Sequence, residues 1–398
     1  MHEILEARQQ NAQFPLPRSL REKDQLDGAI ANYRKAIARQ PQDLSARLTL
    51  ANALQARGQT DAALLQYREA VQIDPQRGET HRLLGSALAS AGKLESAVLV
   101  YREAIRLDPG DGWARNDLGL ALRALGRHQE AFAAWAEAVQ IVPDHAGAHI
   151  NYGTALFQSG QEEKALRAWE TALTLDPAAS IARNNLATAY HLRGDTHAAL
   201  LQYREALRID PEDIPALTNL GLVYQREHRL DEAILLWQRA VKSAPRLAEP
   251  HQLLGTALYV KGLVDAAVAE LREAIRMDPD DPWANFNLGV ILSNEGQDDA
   301  ARERFEETLR VDPKFTSAHF NLANAQYKTR RFEQAIASWR KAIFYNRAHA
   351  WAHFNLGYAL RKRGLLEAGA IEIQEAMRID PSISGRTFPM LDALNDQK

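Results

Sequence analysis

One asparagine recurs along this chain at a fixed step. Asn151, Asn185 and Asn219 are spaced 34 residues apart, and Asn287, Asn321 and Asn355 resume the series after an interruption at Leu253. Asp117 holds the same position one step earlier, and Thr49 and Leu83 stand there in the first two steps. Asparagine is a mediocre helix former, so its repeated use inside a helical segment carries a propensity cost. The amide offers one acceptor and one donor group, the same pair that each residue of a peptide backbone offers. A column of such groups along a groove can therefore pair with an extended peptide. The other reading is that the amides bond to backbone or water within the array.

A second column is histidine: His81, His149, His251, His319 and His353. Metal binding would need ligands about 2 Å from one ion, whereas equivalent positions on packed helices lie about 8–10 Å apart. Ring packing between helices is the reading that fits. Basic residues gather late in the chain, at Lys328, Arg330, Arg331, Arg361, Lys362 and Arg363. Cations at a helix C-terminus complement its dipole; the functional reading is contact with an acidic partner. Trp113, Trp283 and Trp351 could edge a groove as binding anchors or simply pack.

These columns need elements that repeat with them. Pro41, Pro75, Pro109, Pro143, Pro177, Pro211, Pro245, Pro279 and Pro313 keep the same step, Arg347 stands where the next is due, and Pro381 restores it. Self-similarity at such a period marks a solenoid of identical units. In residues 112–145, Leu118, Leu122 and Leu125 have the spacing of one helical face. Gly126 ends that helix through a positive-φ cap. Ala131, Trp135, Ala138 and Val139 mark a second helix, and Pro143 ends it. Glycine recurs at the inner turn except at His228 and Arg330. Tyr67, Tyr101, Trp135, Trp169, Tyr203, Trp237, Phe305 and Trp339 are expected in the core. At Arg347, loss of the proline is expected to lengthen the second helix or alter the turn.

The series Leu118-Gly119-Leu122, Ala131, Trp135, Ala138, Pro143 and its counterpart Leu220-Gly221-Tyr224, Ala233, Trp237, Ala240, Pro245 resemble the tetratricopeptide repeat (TPR) family. The family's early tryptophan is missing from its usual place. The resemblance implies an all-α fold, a right-handed superhelical α-solenoid of tandem 34-residue helix-turn-helix repeats, with helix A lining the concave face. It covers roughly nine-tenths of the chain: an N-terminal extension with a degenerate first helix over 1–23, one partial and ten full repeats over 24–383, and a cap or tail over 384–398. A turn of helix near Ser19 to Lys23, a complete second helix of the partial repeat over Asp27 to Arg39, and a short capping helix over Pro389 to Asn395 are expected at the ends. At the asparagine positions the array resembles that of O-GlcNAc transferase, which implies peptide-backbone binding by Asn151, Asn185, Asn219, Asn287, Asn321 and Asn355, with Asp117.

Composition narrows the function classes. Formal charge is −3 and there is no cysteine. The charge balance does not suit a nucleic-acid binder, and disulfides, thiolate zinc sites and cysteine nucleophiles are excluded. No apolar run is long enough for a membrane span, and a soluble, cytoplasmic protein is expected. No catalytic constellation, cofactor or metal site is expected. The reading is a non-enzymatic scaffold or adaptor holding an extended protein segment, in the assembly of a multi-protein complex. The alternatives are the recognition arm of a glycosyltransferase-type enzyme without its catalytic domain, and a structural subunit that self-associates through its end repeats or convex helix B faces.

Overall fold

A computed structural model describes residues 23–384, and among them there are twenty-one α-helices, one 3-10 turn (Pro381–Ile383) and no strand. The helical remnant expected near Ser19 and the capping helix expected over Pro389 to Asn395 lie outside the described residues. The first helix, Lys23–Arg39, is a lone B-type helix that begins a turn earlier than expected. Helix pairs follow, from Leu44–Ala56 with Thr60–Ile73 to Ala350–Lys362 with Leu366–Ile379. The described chain falls into two compact units, the first reaching Asp210 and the second beginning at Pro211.

The inner turn has a local cause. In the repeat built from Gly112–Ala124 and His128–Ile141, Gly126 has φ +75°. Its N–H donates to Arg123 O, and Arg127 N–H donates back to Leu122 O, each at 2.9 Å. These bonds satisfy helix-end carbonyls that would otherwise be orphaned. His228 (φ 59°) and Arg330 (φ 61°) adopt the same conformation without glycine.

The outer turn is held by the residue before the proline rather than by the proline alone. Asp108 Oδ1 accepts the Gly110 N–H at 2.9 Å, and Asp312 Oδ1 accepts that of Lys314 at 3.0 Å. Where the proline is missing, Asn346 Oδ1 accepts the Ala348 N–H at 3.0 Å. The helix before it, Phe332–Tyr345, keeps the usual 14 residues. The expected lengthening at Arg347 does not occur, because this side-chain turn ends the helix without help from the ring.

A tight contact fixes helix A on helix B. A Cβ on Gly119 would lie 2.4 Å from Trp135 Nε1, and on Gly221 it would lie 2.5 Å from Trp237 Nε1. The missing side chain lets the indole reach helix A, where Trp135 Nε1–H donates to Asn116 O and Trp237 Nε1–H to Thr218 O, both at 3.1 Å. At Ala323 the methyl takes that space, and Trp339 Nε1–H donates instead to Asn324 Oδ1 at 3.1 Å. The large helix B residues expected in the core are all buried.

Within each unit, helix A packs on its own helix B, and helix B on the helix A that follows. Successive A helices also approach one another, as Gly112–Ala124 does Ala146–Gln158 and Ala248–Val260 does Pro282–Asn294. No pair of successive B helices comes as close among the described residues. The A helices therefore line the inner side of each unit.

The indole contact generates a test. Gly119→Ala is expected to lower stability by about 1–3 kcal/mol through overpacking and to displace the Trp135 N–H from its acceptor. Leu120 occupies the position of Asn324 and cannot accept that bond. The double change Gly119→Ala/Leu120→Asn is expected to recover part of the loss in chemical denaturation. Equal stabilities for wild type and both variants would contradict this account.

Candidate functional site

The asparagine column lies on the A helices, and the structure fixes which way each amide faces. In the second unit, Asn287 Nδ2 donates to Thr256 Oγ1 at 2.8 Å, and that hydroxyl gives its one hydrogen to Gln252 O, also at 2.8 Å. Thr256 can then only accept, so the nitrogen of Asn287 must face it. In the first unit, Asn185 Nδ2 meets Thr154 Oγ1 at 3.1 Å, with Thr154 committed to Ile150 O. Asn355 Nδ2 donates to Asn324 Oδ1 at 3.0 Å, the same oxygen that accepts the Trp339 indole.

In these three cases the partner belongs to the preceding helix A, 31 residues earlier. Where that position is Leu120 or Val290, no acceptor exists and the amide finds another. Asn151 Nδ2 bonds Asn116 Oδ1 at 2.9 Å, and Asn321 Nδ2 bonds Ser317 O in its own helix at 3.0 Å. In all five one hydrogen of the nitrogen is engaged inside the array, and the oxygen accepts no hydrogen bond among the described residues. Thr154, Thr256, Asn116 and Asn324 are thus hydrogen-bond partners of the amides that the column itself did not reveal. For Thr154, Thr256 and Asn324 the signal was available as a polar residue three places after one rung position, 31 before the next.

The rungs differ in access. Asn151, Asn185, Asn219, Asn287 and Asn321 are half-buried, as is Asp117. Asn355 is only 4% exposed, and its Oδ1 is buried with no hydrogen-bond partner among the described residues. Three A helices of the second unit, Pro282–Asn294, Thr316–Lys328 and Ala350–Lys362, contain no Asp or Glu. They carry Phe286, Phe320 and Phe354 one residue before each asparagine. Trp283 is 57% exposed and meets Phe315 edge-on at 4.7 Å. Trp351 is half-buried, and Trp113 packs against His145 with ring centres 3.7 Å apart.

The late basic residues do not form one patch. Lys328 Nζ lies 3.0 Å from Asp298, Arg331 3.4 Å from Asp299, and Arg363 2.5 Å from Glu333. Each carboxylate sits at the start of the preceding helix B. Arg57 and Asp27, Arg193 and Glu163, and Lys261 and Asp231 repeat the arrangement elsewhere. Lys362 lies over the Tyr358 ring at 5.5 Å. Arg330 and Arg361 are exposed and make no ion pair among the described residues.

The family model described as "Tetratricopeptide repeat" matches residues 18–78, 48–112, 82–146, 286–337 and 320–382, over half of the chain. A second, "TPR repeat", matches 153–194, 187–227 and 255–296. The chain is a tetratricopeptide repeat protein. Among solved structures, a chain of the APC/C heterotetramer Cut9–Hcn1 is similar in fold, with 14% identity and a TM-score of 0.53 over 94% of this chain and 93% of that one. PilF of Pseudomonas aeruginosa is 24% identical over 56% of this chain and 99% of its own, with a TM-score of 0.49. YrrB, titled a TPR protein with an unusual peptide-binding site, is 24% identical over 46% and 95%, with a TM-score of 0.37. No curated protein matches the chain. A TPR array of this kind is a protein-interaction scaffold, and no described helix is long and apolar enough to cross a membrane.

The histidines of the TPR array tie its turns. His149, His251 and His319 place Nε2 at 2.9, 3.3 and 3.0 Å from the carbonyl oxygens of Pro143, Pro245 and Pro313. His353 does the same to Arg347 O at 3.1 Å, and His81 reaches Arg77 O at 3.2 Å through Nδ1. His251 and His353 also bond Glu270 and Glu372 of their own helix B at 2.6 Å. No group of metal-ligating side chains is found among the described residues.

A further histidine, His145, caps Ala146–Gln158 by accepting the Ala148 N–H at Nδ1, where other repeats use Asp43, Asp111, Asp213 and Asp281. Burial, reinforced by His149, pushes its pKa down to about 4. His319 and His349 are also lowered, by burial first. A histidine with a depressed folded pKa takes up its proton more readily when unfolded. Stability is therefore full above about pH 6.5 and is lost as the pH falls toward 4. For His145 alone the loss is on the order of 3 kcal/mol. Thermal midpoints are expected to fall between pH 7 and 4, and His145→Asn, which keeps a capping acceptor, is expected to flatten that slope. An unchanged slope would count against the assignment.

Proposed function

We propose that this protein binds an extended segment of a partner along the inner faces of its A helices, gripping the main chain through asparagine oxygens. The observation that carries the reading is the fixed amide orientation. With Nδ2 of Asn151, Asn185, Asn287 and Asn321 turned into the array by one hydrogen bond each, the amide oxygen is the group turned away from that bond, and it matches the N–H groups of a peptide. Adjacent rungs on packed helices lie about 8–10 Å apart, and an extended chain advances about 3.3–3.6 Å per residue. One rung therefore serves about three peptide residues.

Side-chain selection falls to the neighbours. The phenylalanine column and Trp283 favour apolar or aromatic side chains on the bound segment. Arg330, Arg361 and Lys362, with no carboxylate on the nearby A helices, favour an acidic one. Lys328, Arg331 and Arg363 already hold carboxylates within the array and contribute less. The role that follows is a non-enzymatic adaptor in the assembly of a larger complex, built as one repeat array over 24–383.

The test uses a peptide selected by display against the wild-type protein. Asn287→Ala/Asn321→Ala is expected to weaken it by about 1 kcal/mol per lost bond, with helical content intact. N-methylation of single peptide amides is expected to weaken binding at about every third residue, since the rungs need the peptide's N–H. A well-folded double variant with unchanged affinity, together with N-methyl peptides that bind as well as the parent, would overturn the reading.

A further inference from the structure

The repeat that lacks its proline also breaks a charge pattern. In the preceding repeat, Arg310 bridges Glu307 in its own helix at 2.7 Å and Asp280 in the turn before helix A at 2.5 Å. The intrahelical half of this arrangement recurs as Glu103–Arg106, Glu205–Arg208, Glu273–Arg276 and Glu375–Arg378. One repeat after Arg310, the three positions become Lys314, Lys341 and Phe344. Both carboxylates are replaced by lysine, and the arginine by an aromatic ring.

The substituted positions are exposed together. Phe344 is 74% exposed, and Lys314, Arg340, Lys341 and Arg347 are exposed and make no ion pair among the described residues. Arg340, Lys341 and Phe344 are three and four residues apart, so they share a helix face. The distance between Asp280 and Arg310 shows that this repeat geometry sets position 314 against position 344. Tyr345, 39% exposed, is held in place: its ring stacks on His319 at 5.6 Å with a 15° tilt and meets Phe344 edge-on at 5.1 Å. From 334 to 366 the chain has six Arg and Lys residues and no Asp or Glu, although the whole protein is net negative.

We propose that this edge, formed by Lys314, Arg340, Lys341, Phe344, Tyr345 and Arg347, is a second interaction surface, separate from the inner face, that docks an acidic segment of a partner protein. The charge supplies complementarity and steering. An aromatic anchor ringed by longer polar side chains is the composition of an interface centre. A single projecting phenylalanine beside a ring stacked on its own protein suits a protein contact better than insertion into a lipid surface, where a broader apolar face is needed.

The design of the test follows from the repeat. Lys341→Glu/Phe344→Arg restores the pair present in the five helices above and is expected to fold; Phe344→Ser, at an exposed position, gives a second variant. The probe is a fluorescein-labelled peptide alternating Glu with Leu and Trp, against the same peptide with Gln for Glu, read by anisotropy. The wild type is expected to bind the Glu peptide with affinity that falls with salt and to bind the Gln peptide at least tenfold more weakly. The double variant is expected to lose at least tenfold and Phe344→Ser several-fold, while both bind the display-selected inner-face peptide as the wild type does, which separates this edge from the inner face. No binding by the wild type, equal binding of both peptides, or unchanged affinity in the folded double variant would overturn the proposal. So would Phe344-dependent sedimentation with phosphatidylserine vesicles, but not phosphatidylcholine vesicles, in the absence of peptide binding.

Discussion

The contact between a small residue of helix A and a large one of helix B is the constraint on which the other features depend. Gly119 against Trp135 and Gly221 against Trp237 leave no room for a methyl group, so each pair admits one depth of approach. That contact also decides where function can sit. An α-helix turns 100° per residue, so Asn287, two residues before Gly289, lies about 200° round from it. The face that must meet helix B forces the asparagine away from helix B, onto the inner side of its unit. The rung follows from the packing, and repeating the packing repeats the rung.

Much of this was legible in the sequence because the repeat advertises itself. Helix boundaries, the positive-φ turns and the buried aromatic series all follow from residues that act within a few positions of themselves. What was not legible depends on pairing across repeats. The orientation of Asn287 is set by Thr256, and that of Asn355 by Asn324, each 31 residues earlier. A column read alone shows an amide with two faces; its partner column removes one. The proline comb misled in a different way. It marks the outer turn at ten of eleven places, yet the turn at Arg347 closes through Asn346, so the ring accompanies the helix stop without being necessary to it.

The basic residues between Lys328 and Arg363 make the same point about distance along the chain. Their clustering in sequence suggested one surface, but Lys328 and Arg363 meet carboxylates 30 residues earlier on the preceding helix B. Net charge over a window says little when each residue's nearest neighbour lies a repeat away. The cations that lack such a partner separate into Arg330 and Arg361 at one end of the helices and Arg340, Lys341 and Arg347 at the other.

Energetics explain why departures from the pattern collect where they do. An error in the indole contact costs a buried hydrogen bond and a steric clash, and the contact recurs along the array with compensations such as Ala323 with Asn324. An exposed ion pair of the Glu307–Arg310 kind contributes about 0–1 kcal/mol. Replacing it with Lys341 and Phe344 leaves the fold almost untouched while reversing the local charge and exposing a ring. The solenoid edge is therefore the part of each repeat that can vary most freely. At Lys314, Lys341 and Phe344 one repeat departs at three facing positions at once, and among the described residues no other ion pair replaces the ones lost there.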